Sequence, residues 1–414
     1  MFGPVPLQPR TLAAYAPFAG ERACQEIAEQ AKTLRGARVL HLSALSQGTY
    51  VAELLAALVP LMNAVGVAAE WQVVPVPAEC TSAHRALYHA LAHGEGWSRA
   101  AHASWLRYVD AAAALFDRDY DFVVVHDPQP MPLLTAKAAR DGRRPAGGWI
   151  WHCHLDLHEA RPEAWGALRP HLLGYDAAIY AAHEYVRTDT GIRHVLVVPP
   201  VIDPLGPRNV DLPAGQVEQT LRRYAIDPRR PLVCQVSPLS PRADPIGLIE
   251  AYQLVKPQVP ALQLVLLSQR ASDDATGRAF ADLVGERCRQ DEDVRLVVRF
   301  EGTGDTEVNA FERAATVVAQ RSVGKGFALA LVEAMWKGRP VVAGRAGNLP
   351  LQLVGGRTGY LAGSGEEFGL RLLDLIQDSE ARARLGRAGR ERVRRTALVT
   401  RCLREYLELF RRLV

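Results

Sequence analysis

The segment His152-Cys153-His154-Leu155-Asp156-Leu157-His158 alternates, so its four polar residues could share one face of an extended stretch. Imidazole and carboxylate donors at that spacing suit zinc, which takes four such ligands. The pattern is broken at Leu157, and a metal site would also need His or Asp after later strands. No metal is therefore expected, and the polar residues are read as hydrogen-bonding groups. His154 ends the apolar run Trp149–His154, with Asp156 just beyond it. His126, Asp127 and Gln129 stand at the end of a neighbouring run, Asp121–His126, and Glu184 follows Ala177–Tyr180. Side chains of this kind suit the binding of hydroxyl groups. His89 fits the core or the surface better than a site.

Ends of strands matter because open α/β sheets bind ligands outside the carboxyl ends of their strands. The first half reads as strands Arg38–Leu42, Glu70–Val76, Asp121–His126, Trp149–His154, Ala177–Tyr180 and His194–Val198. Helical patterns such as Val51–Val65 and Trp105–Phe116 lie between them. Strands apolar on both faces, separated by helices, predict a parallel sheet covered on both sides. Pro199, Pro200, Pro204 and Pro207 then crowd together with Gly206, which is linker chemistry. A second series follows: Leu232–Val236, Gln263–Leu267, Val294–Val298, Thr316–Ala319, Pro340–Ala343 and Gly359–Leu361. Its helices are Pro245–Leu254, Asp274–Cys288 and Ala328–Met335. The expected fold is α/β, with two Rossmann-like, doubly wound domains facing across a cleft, residues 1–205 and 206–395. Residues 396–414 form a closing helix that returns to the first domain. Its apolar stripe is Leu403, Tyr406, Leu407 and Phe410.

Bulk composition narrows the function classes. The chain has 414 residues, enough for two cores, with 48% hydrophobic and 23% charged residues. A formal net charge of +4 does not suit a dedicated nucleic-acid binder. The basic run Arg382–Arg395 alternates with Ala, Leu and Glu at helical spacing and reads as a solvated helix face. The six cysteines form no C-x-x-C pair, which fits free thiols in a reducing cytoplasm. Met1–Pro17 lacks the charged and apolar regions of a signal peptide. No apolar run is long enough to span a membrane.

Longer motifs carry a resemblance. They are Val51-Ala52-Glu53, V-V-V-H-D-P-Q-P at Val123–Pro130, W-I-W-H-C-H-L-D-L at Trp149–Leu157, Glu184–Val186 and P-P-V-I-D-P-L at Pro199–Leu205. Asp244-Pro245, Glu307–Phe311, Trp336–Gly344 and Leu403–Phe410 extend the series. Together they resemble the trehalose glycosyltransferring synthases, family 4 retaining glycosyltransferases of the GT-B architecture. The resemblance implies transfer of a hexose from a nucleoside diphosphate sugar to a sugar acceptor, without a metal cofactor. It implies His154, Asp156 and Glu333 as catalytic residues and His126, Asp127, Gln129 and Glu184 on the acceptor side. Gly48, Arg242, Arg321, Lys325, Gly326, Phe327 and Glu333 fall on the donor side.

A departing diphosphate develops negative charge, which metal-free sites meet with cations, backbone donors and a helix N-terminus. This chain departs from the family pattern there. Ser46–Tyr50 has one glycine, Gly48, where the family has a run of three. Pro238 and Ala243 stand where it has Arg and Lys, Lys325 where it has Glu, and Ala328 where it has Gly. Losing one charged contact to a buried diphosphate costs about 1.5–3 kcal/mol. Two readings follow. One is an active hexosyltransferase with a shifted phosphate site at Arg242 and Lys325. The other is a catalytically impaired relative that binds sugar or nucleotide, or a partner protein. The first takes a small sugar acceptor and a nucleotide sugar as ligands; neither involves nucleic acid or a membrane span, and a homodimer is left open.

Overall fold

The structure is a computed structural model describing residues 2–268, 275–298, 304–323 and 326–414. The chain forms two compact units: Met1–Pro200 with Val399–Val414, and Val201–Leu398. The sequence placed these boundaries at 205 and 396. They fall elsewhere because Ile202 N–H donates to the Ala397 carbonyl at 2.8 Å and Ile202 bridges Leu398, tying both segments into the second unit.

Unit 1 holds β1 (Gly3–Pro4), β2 (Arg38–Ser43), β3 (Ala68–Val73), β4 (Phe122–Val125), β5 (Gly148–Cys153), β6 (Ala177–Tyr180) and β7 (His194–Val197). Their order is β1-β3-β2-β4-β5-β6-β7. All neighbours are parallel except β1 against β3. β4 and β6 are buried along their whole length, as a sheet covered on both faces requires. β3 stops at Val73 and not at Val76, because Pro75 has no N–H for the ladder.

The closing helix, Val399–Leu413, belongs to unit 1. Leu403, Tyr406, Leu407 and Phe410 are fully buried. Phe410 stacks on Phe122 of β4 with ring centroids 4.4 Å apart. Burying four such side chains is worth roughly 6–12 kcal/mol before entropy.

Unit 2 holds β8 (Leu232–Val236), β9 (Gln263–Ser268), β10 (Val294–Val298), β11 (Val317–Gln320), β12 (Val341–Gly344) and β13 (Tyr360–Ala362). All are parallel, in the order β10-β9-β8-β11-β12-β13. This is the Rossmann strand order. Helix Pro245–Val255 packs with Gly365–Gln377 over a core that includes Leu248, Tyr252, Leu264, Phe368 and Leu372.

Each sheet has one point where the winding reverses, between β2 and β4 in unit 1 and between β8 and β11 in unit 2. A ligand crevice opens at such a point. All six cysteines are buried thiols. Among the described residues no helix is long and apolar enough to cross a membrane.

Candidate functional site

At the reversal in unit 1, the loops after β2 and β4 are tied together by Asp127. Its Oδ2 accepts the Ala44 backbone N–H at 2.6 Å. Burial raises the Asp127 carboxyl to about 6, and the Ala44 bond opposes that rise. Between these loops and the end of β5 lies a chain of imidazoles. His41 Nδ1 is 2.9 Å from His126 Nε2, and His126 Nδ1 is 3.0 Å from His154 Nε2. The His126 and His154 rings stack, and His152 lies 3.9 Å from His154 between centroids. His152 Nδ1 reaches Tyr406 Oη of the closing helix at 2.6 Å.

Burial lowers His41 and His154 to about 3 and holds His126 and His152 well below the ordinary histidine range. All four are neutral near pH 7. The hydrogen-bond network then assigns their tautomers. His41 Nε2 faces the Met62 thioether at 3.4 Å, which can accept but not donate. That puts the His41 proton on Nε2, so Nδ1 accepts from His126 Nε2–H. His126 Nδ1 in turn accepts from His154 Nε2–H, and His154 keeps a bare Nδ1. A neutral acceptor of this kind can orient a hydroxyl group but carries no charge.

The other residues expected on an acceptor side are spread more widely. Gln129 is buried, and its amide donates to the His84 carbonyl at 3.3 Å. Asp156 turns to the exposed His158, accepting from its backbone N–H and pairing with its Nδ1 at 2.7 Å. Glu184 is exposed on the short turn after β6. The alternating set His152, His154, Asp156 and His158 therefore splits into two groups. A different trio, His126, His152 and His154, has ring nitrogens within 4.8 Å of one another and could hold a transition metal. Binding one there would break the His126–His154 hydrogen bond.

Gly48 has φ +71°, a left-handed turn that glycine adopts without strain. Thr49 then caps helix Tyr50–Ala64, its hydroxyl accepting the Ala52 N–H at 3.1 Å. Tyr50 fills the next position and meets His154 edge to face at 5.6 Å.

Unit 2 repeats the device of a carboxylate across the reversal. Asp244, at φ 49° and ψ 51°, caps helix Pro245–Val255 through Gly247 N–H at 3.1 Å. Its other oxygen pairs with Arg321 Nη1, after β11, at 3.0 Å. A Cβ on Gly247 would overlap that guanidinium. Arg242 lies on the turn Pro241–Ala243, and its carbonyl accepts the Val323 N–H at 2.9 Å. Ala243 is buried and its carbonyl accepts from Gln235 Nε2 at 2.8 Å, while Pro238 is exposed. Gly326, at φ +133°, and the half-buried Phe327 lead toward helix Leu329–Trp336. Lys325 lies outside the described residues.

Glu333 is fully buried. Arg208 grips both its oxygens, Nε to Oε1 at 2.8 Å and Nη2 to Oε2 at 2.9 Å. Beside them Lys337 pairs with Glu312 at 2.6 Å, both fully buried. Burial pushes Glu312 upward, and the Lys337 ammonium opposes that. The Glu333 carboxylate is thus engaged inside unit 2, where an expected ribose contact would have to share it with Arg208.

Several site residues escape a reading of strand ends. His41 sits inside β2, Met62 inside a helix, Tyr406 far along the chain and Arg208 in the Pro-rich stretch. One pair had a usable signal. Gln235-Val236-Ser237 and Gln320-Arg321-Ser322 place the same Gln-x-Ser at the ends of β8 and β11, and each Gln amide donates to its own Ser hydroxyl.

Comparison with known proteins decides the family. Residues 41–187 match the model of the trehalose synthase N-terminal domain, and residues 216–392 match glycosyl transferases group 1. The trehalose synthase of Rubrobacter xylanophilus is 35% identical over 98% of this chain and 97% of its own. That of Pyrococcus horikoshii is 32% identical over 97% and 96%. The chain belongs to the trehalose synthase family. Solved structures share its GT-B fold at low identity. Trehalose-6-phosphate synthase OtsA has a TM-score of 0.72 at 11% identity, covering 91% of this trehalose synthase relative and all of OtsA. Sucrose-phosphate synthase from Thermosynechococcus elongatus has a TM-score of 0.68 at 17% identity, covering 91% and 99%. The imidazole chain is built from β2, β4, β5 and the closing helix.

Proposed function

We propose that this chain transfers a hexose from a nucleoside diphosphate sugar to a sugar acceptor, in the manner of the trehalose synthases it matches from end to end. That full-length match, across both units, is the observation that carries the reading. In the transfer, the bond from the sugar's anomeric carbon to the diphosphate breaks. A bond to the acceptor oxygen forms, and the acceptor proton is released.

Unit 1 takes the acceptor. Neutral His154 accepts a hydroxyl through Nδ1, with Asp156 behind the same strand end. His126 holds the tautomer of His154, and Asp127, Gln129 and Glu184 supply further polar contacts. Unit 2 takes the donor. Arg321 stands over the N-terminus of helix Pro245–Val255, where backbone N–H groups and the helix dipole favour a diphosphate. Arg242, Lys325, Gly326 and Phe327 complete the phosphate and sugar contacts, and Glu333 anchors the helix beneath. This reading needs no metal, because cations, backbone donors and a helix N-terminus meet the charge of the departing diphosphate. The buried thiols fit a cytoplasmic protein.

Calorimetry with UDP-, ADP- and GDP-glucose, followed by product analysis with glucose as acceptor and EDTA present, tests this. At least one donor should bind, with transfer that survives chelation. Failure of all three to bind would leave the impaired relative as the correct reading.

A further inference from the structure

At the end of the unit 1 sheet away from its ligand crevice, the amino-terminal ends of five adjacent strands line a cavity of about 840 Å³. Small-molecule sites are of this size. The lining runs from Arg38 at the start of β2, past Asp121 before β4, Gly148 at the start of β5 and Asp176 before β6, to Arg193 and His194 at β7. Neighbouring strands lie about 4.8 Å apart, so the trench is roughly 19 Å long. Arg412 and Leu413 of the closing helix, with Leu173, add to its walls.

The fold employs only part of this lining. Asp121 Oδ2 accepts the Arg38 backbone N–H at 2.7 Å. Asp176 Oδ2 accepts the Trp149 N–H at 2.7 Å and pairs with Arg144 at 2.5 Å. These two carboxylates thus cap the starts of β2 and β5. The Arg38 guanidinium lies over the Tyr120 ring, 5.2 Å from its centroid, and Arg412 pairs with Glu408. The side chains of Asp119, Arg193 and His194 also face the cavity, and they have no hydrogen-bond or ionic partner among the described residues. Leu173, 75% exposed, gives the wall an apolar patch.

We infer that this trench binds a neutral oligosaccharide, at a second site separate from the crevice that holds His126 and His154. Charge decides the class of ligand. Three carboxylate side chains (Asp119, Asp121 and Asp176) are interleaved with three guanidiniums (Arg38, Arg193 and Arg412). An anion or a cation lying along the trench meets like charge over much of its length. A hydroxyl donates to a carboxylate and accepts from a guanidinium, so a row of hydroxyls satisfies both kinds of group. The C–H faces of sugar rings can cover Leu173 and Leu413. A trench crossing five strands suits several linked rings better than one. The site needs neither unit 2 nor the imidazole chain, so it stands apart from the transfer chemistry.

Calorimetry of the full chain with maltotetraose, a neutral glucose oligomer, tests the site. Arg193→Ala and Asp119→Ala remove exposed groups that have no partner, so the melting temperature should hold in both. Each should weaken maltotetraose binding roughly three- to tenfold. His154→Gln, in the crevice, should leave that binding unchanged. Maltose, too short to reach from Arg38 to Arg193, should bind more weakly. Neither inorganic phosphate nor spermidine should displace maltotetraose. In hydrogen exchange the bound sugar should protect Arg193–Val195. Absence of maltotetraose binding overturns the second site. So does binding that is lost in His154→Gln and untouched in Arg193→Ala and Asp119→Ala. Displacement by phosphate or by spermidine gives the trench to a charged ligand and overturns the neutral one. Glycosyl transfer should persist in Arg193→Ala in every case, so the transfer reading survives a failure here.

Discussion

Asp127 is a carboxylate that burial makes harder to ionise, and its backbone partner makes easier. Its folded value of about 6 lies above the usual 3.8, so the native state holds this proton where the unfolded chain has lost it. The stability it contributes is full below about pH 4 and is lost as the pH rises through 6. Asp127→Asn is uncharged at every pH and can still accept the Ala44 N–H. It should match the natural protein near pH 4 and exceed it by about 1–3 kcal/mol above pH 6, read from urea melts between pH 4 and 8. A gap that does not change with pH would show that Asp127 ionises normally. The buried histidines bend the curve the other way. His41 and His154, lowered to about 3, contribute stability that is present above 6.5 and lost as the pH falls. The comparison at Asp127 cancels that slope, since both proteins carry the same histidines.

The helix Pro245–Val255 begins at a place where one side chain has to do two things. Asp244 caps it and also holds Arg321, and Gly247 leaves room for the guanidinium. Gly to Ala inside a helix usually adds about 1 kcal/mol of stability. Gly247→Ala should instead lower the melting temperature and weaken donor binding about tenfold, because Arg321 must leave its seat. In an Arg321→Ala background the same change should raise the melting temperature. A gain in both backgrounds would show that Arg321 relocates freely. Elements such as β8 and β10 were legible to the residue, because short, mainly apolar runs with one polar residue each, set between helices, have one use in a doubly wound sheet. The short edge strand β1 was not, since Gly3–Pro4 carries no alternation. Helix Thr81–His93 also escaped, its histidines and small residues blurring the apolar stripe. The candidate site shows the same division. His126 and His154 stood out as polar residues ending apolar strands. Their partners His41 and Tyr406 did not, because a buried polar residue inside an apolar pattern acquires meaning only when the fold supplies its neighbour. The Arg208–Glu333 pair joins residues 125 apart in sequence, a pairing no local pattern encodes.

At the scale of the molecule, unit 1 is assembled from the two ends of the chain, with all of unit 2 between them. Phe410 completes the packing on β4, and Tyr406 completes the bonding of His152. A chain ending at Leu398 should therefore keep unit 2 protected in hydrogen exchange while β4 and β5 exchange faster. Equal protection of those strands in both chains would mean that the closing helix is dispensable to them. During synthesis the same feature sets a timetable. Once Pro200 has left the ribosome, roughly 200 residues must follow before the closing helix can emerge. At about 5–20 residues per second that is roughly 10–40 s. For that interval the surface of unit 1 that will receive Leu403, Leu407 and Phe410 is uncovered, while unit 2 can already fold from contiguous chain. The nascent chain therefore exposes apolar surface for that interval, and the imidazole chain is among the last parts of unit 1 to acquire its full set of bonds.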